Sequence, residues 1–266
     1  MVKTSNHKGN VSKIESMRYP EDFIDKVICG DCFKILKSMP TDIIDLIFAD
    51  PPYGISKKGR FEIPEKNYKR IFTEWDMKEP DYKWIDECLR ILKKGRAIYI
   101  SGTHHNIFKI RQYIIEKYSE NWIRNIITWF KPNAMPIKFA KQIGCYAYSC
   151  EYILYITKGK CLFFNYDELK KINKGNQMRD MWEIVVGQDN RGRNPYHPTQ
   201  KPLELLKRII IASSKKNEII LDPFLGSGTT AVASKELNRQ FIGIEINPEY
   251  CQKSDRRLIN TMESLF

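Results

Sequence analysis

The sequence predicts an α/β fold built on a doubly wound, mostly parallel β-sheet, and three observations support this prediction. Apolar segments of strand length alternate along the chain with segments whose apolar residues recur at helical spacing. Residues 43–49 (IIDLIFA) are almost continuously apolar, which is typical of parallel strands buried on both faces. A glycine turn at Gly226 and Gly228 separates a predicted strand from a predicted helix.

The first part of the chain carries most of the predicted sheet. Residues 1–20 are polar and predict a flexible arm, and residues 21–159 predict one half of a single domain. Its predicted strands are 26–29, 43–49, 97–100, 122–129 and 151–156, and its predicted helices are 32–39, 84–93 and 104–117. The second strand runs into Asp50-Pro51-Pro52-Tyr53, which we interpret as a loop because prolines prevent further strand pairing.

The alternation is interrupted and then resumes. Residues 160–195 are polar, basic and rich in asparagine, and we interpret them as an insertion rather than as core. Residues 196–266 predict the second half of the same domain. Its predicted helices are 202–212 and 229–237, and its predicted strands are 218–221 and 241–246.

Composition restricts the possible partners and the cellular location. The 266 residues are 42% hydrophobic, which suffices for a folded core and excludes a disordered chain. No apolar run approaches the length of a membrane helix, so we expect no membrane partner. A polar N-terminus and seven cysteines favour reduced thiols and a cytoplasmic location, near the nucleoid of a prokaryotic or virus-infected cell.

The charge favours a polyanionic partner. Forty-four Lys and Arg against 32 Asp and Glu give a net charge of +12. A lysine-rich proteome would produce the same excess, but here the basic residues cluster in two stretches that lack regular periodicity. Phosphate contacts are therefore predicted for Lys57, Lys58, Arg60, Lys69, Arg70, Arg179, Arg191 and Arg193.

The glycine turn predicts a nucleotide-containing cofactor. Gly226 and Gly228 allow close approach of the backbone, and Glu245 ends the next strand, where an acid can accept hydrogen bonds from ribose hydroxyls. A dinucleotide would place its pyrophosphate on the helix N-terminus. S-adenosylmethionine has no phosphate, and Asp222 before the turn suits its ammonium group; the alternative for Asp222 is a structural turn carboxylate.

The tetrad at residues 50–53 predicts chemistry on an exocyclic amine. The nitrogen of such an amine is a poor nucleophile because its lone pair is delocalised into the ring. The Asp50 carboxylate and the Pro51 carbonyl can each accept one N–H, Pro52 stiffens the loop, and Tyr53 can stack on the base. The alternative is a rigid turn in which Tyr53 only packs.

Together these motifs resemble a known family. Asp50-Pro51-Pro52-Tyr53, followed far downstream by Asp222-Pro223-Phe224-x-Gly226-x-Gly228-Thr229-Thr230, resembles the S-adenosylmethionine-dependent amino-group DNA methyltransferases. The order, with the catalytic motif first, resembles their circularly permuted β class over residues 25–255. The resemblance implies a seven-stranded methyltransferase sheet whose last strand is antiparallel.

The resemblance also implies roles for individual residues. Asp50, Pro51, Pro52 and Tyr53 are expected to be catalytic. The expected cofactor-binding residues are Asp31, Asp50, Lys201, Asp222, Phe224, Gly226, Ser227, Gly228, Thr229 and Glu245. Methyl transfer from a sulfonium needs no metal, so none is expected.

The resemblance finally implies a substrate and partners. Double-stranded DNA is the expected substrate, with the target base flipped out of the helix. Residues 160–195 fall where the class keeps its target-recognition region. Because this region is short, recognition is expected to be shared with the DNA-contacting loop 54–75 or with the second subunit of a homodimer. The resemblance also admits a cognate restriction endonuclease.

Other functions remain open at this point. The class that methylates N4 of cytosine more often has Ser in place of Asp50, so Asp50 favours N6 of adenine. A nucleic-acid-binding protein with an inactive methyltransferase fold is a different alternative, against which the intact motif residues argue. A nicotinamide dehydrogenase would bind NAD instead of S-adenosyl compounds.

Overall fold

A computed structural model of the chain describes residues 17–52, 81–134, 144, 146–187 and 200–263. The strands are β1 (Lys26–Cys29), β2 (Ile44–Ala49), β3 (Leu92–Gly102), β4 (Ile123–Phe130), β5 (Cys150–Thr157), β6 (Met181–Glu183), β7 (Ile219–Asp222) and β8 (Gln240–Glu245). The helices are α1 (Cys32–Ser38), α2 (Lys83–Ile91), α3 (Ile107–Lys117), α4 (Tyr166–Ile172), α5 (Leu203–Ser213), α6 (Thr229–Glu236) and α7 (Pro248–Glu263). Within the described ranges, no helix has both the length and the apolar character to cross a bilayer.

The strands form one mixed sheet in the order β1-β8-β7-β2-β3-β5-β4-β6. Strand β5 is antiparallel to both of its neighbours, and every other pair is parallel. The predicted α/β class with a mostly parallel sheet is confirmed. The antiparallel strand lies inside the sheet, and the last strand along the chain, β8, is parallel to its neighbours.

The sheet of the described residues has eight strands rather than the seven expected, because β6 adds a parallel strand beside β4. Trp182 of β6 and the following Ile184 are buried, and the Trp129 indole N–H of β4 donates to the Ile184 carbonyl. The prediction that residues 160–195 are an insertion rather than core is therefore wrong at Leu169, Trp182 and Ile184, whereas the other described residues of the segment, which end at 187, are not buried. Its predicted role in target recognition stays a prediction.

The sheet is covered on both faces, as the doubly wound prediction requires. Alternate residues of β3 point to opposite sides: Ile98 and Ile100 pack in the core with α1, α2 and α3, whereas Tyr99 packs in the core with α5. Strand β2, in the middle of the sheet, is buried at all six positions and apolar at all but Asp45, as expected of a strand covered on both faces.

The prediction of a flexible arm over residues 1–20 is wrong for its last four residues. Met17 and Tyr19 pack against the core, so residues 17–20 are not a loose extension. The rest of the predicted arm lies outside the described residues.

Candidate active site

A cavity of about 310 Å³ lies at the edge of the sheet where β1, β8, β7 and β2 end. Parallel strands bring their carboxyl ends to one edge, where the ligands of open α/β sheets bind. The residues that line the cavity are Gly30, Asp31, Cys32, Phe48, Asp50, Pro51, Pro52, Gln200, Lys201, Asp222, Pro223, Phe224, Leu225, Gly226, Ser227, Thr229, Thr230, Ile244, Glu245, Ile246 and Tyr250. The two predicted motifs therefore share one cavity.

Asp50, Pro51 and Pro52 leave β2 as an irregular segment, as predicted. The Asp50 side chain is 18% exposed, and Pro51 is buried. This position suits a group that must meet a ligand from inside the cavity.

Asp222 ends β7 and is almost fully buried. Its Oδ1 accepts a hydrogen bond from the Phe224 backbone N–H at 2.9 Å, and its Oδ2 accepts from the Thr230 hydroxyl at 2.5 Å. Burial raises the pKa of the Asp222 carboxyl to about 7 despite these bonds, and the nearby charges of Asp50 and Glu245 add to the increase. A cationic ligand group would relieve this unfavourable environment.

The turn between β7 and α6 requires glycine at position 228. Gly228 caps α6 in the left-handed conformation (φ +78°), and a Cβ there would meet the Ser254 Cβ at 3.0 Å. Ser254, on α7, donates its hydroxyl to the Gly226 carbonyl at 2.7 Å. Helix α7 therefore packs against this turn and fixes it through Ser254.

A buried arginine on α7 gives the turn a second support. Arg257 donates through Nη1 to the Ser227 carbonyl at 3.0 Å and to the Thr229 hydroxyl oxygen at 2.8 Å. The predicted cofactor residues Ser227 and Thr229 thus line the cavity and are also fixed by the protein itself.

Glu245 ends β8 and ties two backbone segments together. Its Oε2 accepts from the Gly226 N–H at 2.9 Å and its Oε1 accepts from the Asn247 N–H at 2.7 Å. Burial raises the pKa of the Glu245 carboxyl, although these backbone bonds act against the increase. Each carboxylate oxygen has a second lone pair that can accept a hydroxyl.

Two further predicted residues line the cavity at its sides. Asp31 follows β1 and caps α1, accepting the Lys34 N–H at 3.0 Å. The Phe224 ring meets the buried Trp84 indole edge-on, with 5.0 Å between ring centroids, which fixes its orientation.

Lys201 contacts Asp50 directly, a link that the sequence analysis did not predict. Its ammonium donates to Asp50 Oδ2 at 2.5 Å and lies 3.5 Å from Glu151 Oε2, while Lys131 donates to Glu151 Oε1 at 2.9 Å. Burial alone would lower the pKa of the Lys201 ammonium, but the two carboxylates outweigh it and hold that pKa above its ordinary value.

Several predicted residues lie outside the described ranges. These are Tyr53, Lys57, Lys58, Arg60, Lys69, Arg70, Arg191 and Arg193, and their roles stay predictions. Arg179 is described and exposed, in a position open to a phosphate contact.

Glu151, Gln200 and Tyr250 lie near the site but were not among the predicted site residues. Among the described residues, the buried side-chain oxygen of Gln200 has no hydrogen-bond partner, and Gln200 lines the cavity with Tyr250. An acidic residue at the start of an otherwise apolar strand was the available signal for Glu151, since a carboxylate there needs a partner.

The sequence is similar to that of DNA-modifying enzymes. It matches the family model described as DNA methylase over residues 44–256. It is 40% identical over 243 residues to the Type II methyltransferase M2.MboI of Moraxella bovis, covering 86% of this chain and 85% of that protein. It is 36% identical over 254 residues to the Type II methyltransferase M.HinfI of Haemophilus influenzae, covering 89% of this chain and 69% of that protein.

The fold is similar to those of solved methyltransferase structures. The crystal structure of an M1.HpyAVI–SAM complex superposes with a TM-score of 0.61 at 27% identity, covering 88% of this chain and 98% of that chain. The PvuII DNA methyltransferase, named as cytosine-N4-specific, superposes with a TM-score of 0.67 at 15% identity, covering 91% of this chain and 95% of that chain. At that identity, the second likeness concerns the fold alone.

Proposed function

Because the chain belongs to the DNA methylase family, we propose that it transfers a methyl group from S-adenosylmethionine to N6 of a flipped adenine in a specific DNA sequence. The observation that carries this proposal is the shared cavity, in which Asp50 from one motif faces Asp222 and Glu245 from the other. Asp50 in the catalytic tetrad favours adenine over cytosine.

The residues of the cavity suit S-adenosylmethionine. A volume of about 310 Å³ falls at the lower end of the range for small-ligand pockets. Asp222 would hold the ammonium of the methionine part, Glu245 would accept the ribose hydroxyls, and Asp31 and Phe224 would flank the adenosine. The bound donor supplies a methyl group already activated by a positively charged sulfur.

The chain's own contribution is to orient the target amine. The Asp50 carboxylate and the Pro51 carbonyl would each accept one N–H of the exocyclic amino group, which localises the nitrogen lone pair. In this role Asp50 accepts a hydrogen bond and does not remove a proton before the nitrogen attacks. Most of the rate gain would therefore come from the orientation of the amine toward the methyl group. Stacking on Tyr53 would offset the energy needed to flip the base.

The names of the relatives support a proposal for the biological setting. Two proteins similar to this chain are named Type II methyltransferases. We therefore place the chain in a restriction–modification system, in the cytoplasm of a bacterial cell and with a cognate endonuclease as partner. Exposed basic residues such as Arg179 would contact the DNA backbone, and a homodimer would extend the short recognition segment.

Nucleoside analysis tests the proposal directly. DNA from a host that expresses the chain should contain N6-methyladenine in one sequence context, detected by mass spectrometry of digested DNA and by modification-sensitive sequencing. A host that expresses the Asp50→Asn variant is the matched control and should carry far less of the mark. N4-methylcytosine in place of N6-methyladenine would show that the target base is cytosine. Absence of both marks would refute the proposed function.

Affinity for S-adenosylmethionine should increase as pH rises to about 7. The Asp222 pKa of about 7 means that the carboxyl is protonated below this pH, and a protonated acid does not attract an ammonium. Binding then requires release of a proton, so affinity should change by up to about tenfold per pH unit below the pKa and level off above it.

Calorimetric titration between about pH 5.5 and pH 7.5, in two buffers of different ionisation enthalpy, measures both affinity and proton release. The Asp222→Asn variant, which cannot ionise, should bind more weakly and without this slope. An affinity of the wild-type protein that does not vary with pH would remove Asp222 from the ammonium site.

A further inference from the structure

Four alternating charges form a chain that ends on the proposed catalytic carboxylate. Lys131 contacts Glu151 at 2.9 Å, Glu151 lies 3.5 Å from Lys201, and Lys201 contacts Asp50 at 2.5 Å. The side chains of Lys131, Glu151 and Lys201 are only 17%, 16% and 8% exposed. Because two cations and two anions alternate, the group is neutral as a whole, which permits its burial.

We propose that Glu151 and Lys131 are positioning residues, which act through Lys201 to hold the Asp50 carboxylate in the orientation that methyl transfer requires. This inference rests on the proposed function, since it gives Asp50 the hydrogen bond to the target amine.

The contacts explain why Lys201 alone would position Asp50 poorly. A lysine ammonium is a compact charge on a flexible stem and imposes little direction by itself. Glu151 Oε2 lies 3.5 Å from the same ammonium, so that the Lys201 nitrogen has two carboxylate partners. The hydrogen bond from Lys201 to Asp50 Oδ2 at 2.5 Å therefore passes this restraint on to the carboxylate.

The sheet makes this support rigid. Strand β5 is antiparallel to its neighbours, so its second residue, Glu151, lies at the edge where the parallel strands end. Glu151 is paired in register with Trp129 of β4, and the Lys131 ammonium lies 5.4 Å from the centre of that indole ring. Glu151 is not among the residues that line the cavity, and it therefore acts without touching the cofactor.

The test compares two Glu→Gln substitutions. Glu151→Gln removes the shared carboxylate, and Glu218→Gln removes a carboxylate of similar exposure, 20%, that pairs with Arg96 at the opposite edge. We expect Glu151→Gln to lower kcat about tenfold, within the range of couplings between contacting residues. The KM for DNA and the Kd for S-adenosylmethionine should stay close to wild-type values. Glu218→Gln should lower the melting temperature but leave kcat unchanged.

A double-mutant cycle establishes whether Glu151 acts through Lys201. In a Lys201→Met background, the further change Glu151→Gln should alter kcat by less than about twofold, because the link to Asp50 is already broken. If Glu151→Gln does not fold, Lys131→Met enters the same cycle, with a smaller expected loss of kcat.

Three results would overturn the inference: a wild-type kcat in both the Glu151 and the Lys131 variants, a loss carried by KM or Kd, or an undiminished effect in the Lys201→Met background. All three require an active wild-type protein. A wild-type protein that methylates no DNA would instead refute the proposed function itself.

Discussion

Replacement of Asp50 by Asn should lower kcat for DNA methylation by at least about 10²–10³-fold, while S-adenosylmethionine binds almost as before. The loss is of the size measured when a single preorganised hydrogen-bonding group of an active site is removed. An amide has the shape of the carboxylate, but its charge is gone, and its NH2 group would repel an amino hydrogen if it faced the target.

Single-turnover transfer of a labelled methyl group to DNA measures this effect, and calorimetry measures cofactor binding. Asp45→Asn is the matched control, because Asp45 is a buried acid on the same strand β2, where it pairs with Lys93 at 2.8 Å. That variant should lose stability and keep its rate per folded molecule. Methylation by Asp50→Asn at a rate near that of the wild-type protein would show that the assigned role is wrong.

Replacement of Glu245 by Ala should weaken S-adenosylmethionine binding about 10- to 150-fold, which corresponds to ~1.5–3 kcal/mol for a hydrogen bond to a charged group. Two effects contribute in the same direction. The ribose hydroxyls lose their acceptor, and the Gly226 and Asn247 backbone N–H groups lose the oxygens that hold the turn.

Calorimetric titration well below the melting temperature separates binding from unfolding, which a parallel thermal melt records. Glu245→Gln is the conservative comparison: its amide oxygen still serves one backbone N–H, so we expect an intermediate loss of affinity. If Glu245→Ala binds with unchanged affinity, Glu245 does not take part in the pocket.

Short stretches of sequence sufficed to predict those site residues that lie at or directly after the end of one strand. The prolines after β2 end the strand wherever the rest of the chain lies, so the loop at Asp50 followed from residues 50–52 alone. Parallel strands share an edge, so the positions of Asp222 and Glu245 at the ends of β7 and β8 also placed them together.

Features that depend on distant pairing could not be predicted in the same way. The contact between Lys201 and Asp50 joins residues 151 positions apart, and Glu151 reaches it only because β5 is antiparallel. Strand β6 has three residues, too few to show a periodic pattern. Helix α7 did have a signal, since Asn247 before Pro248 is a favourable helix start and accepts the Glu249 N–H at 2.9 Å.

The pairing of β2 with β7 has a consequence for synthesis of the protein. Asp50 follows β2, whereas Asp222 and Glu245 end β7 and β8. These strands lie far apart along the chain, yet they meet in the middle of the sheet. A nascent polypeptide that still lacks its last fifty or so residues holds neither the Gly226 turn nor β7, which is one of the two neighbours of β2. Contacts of such long range slow folding. We therefore expect the protein to become active only after its synthesis is complete.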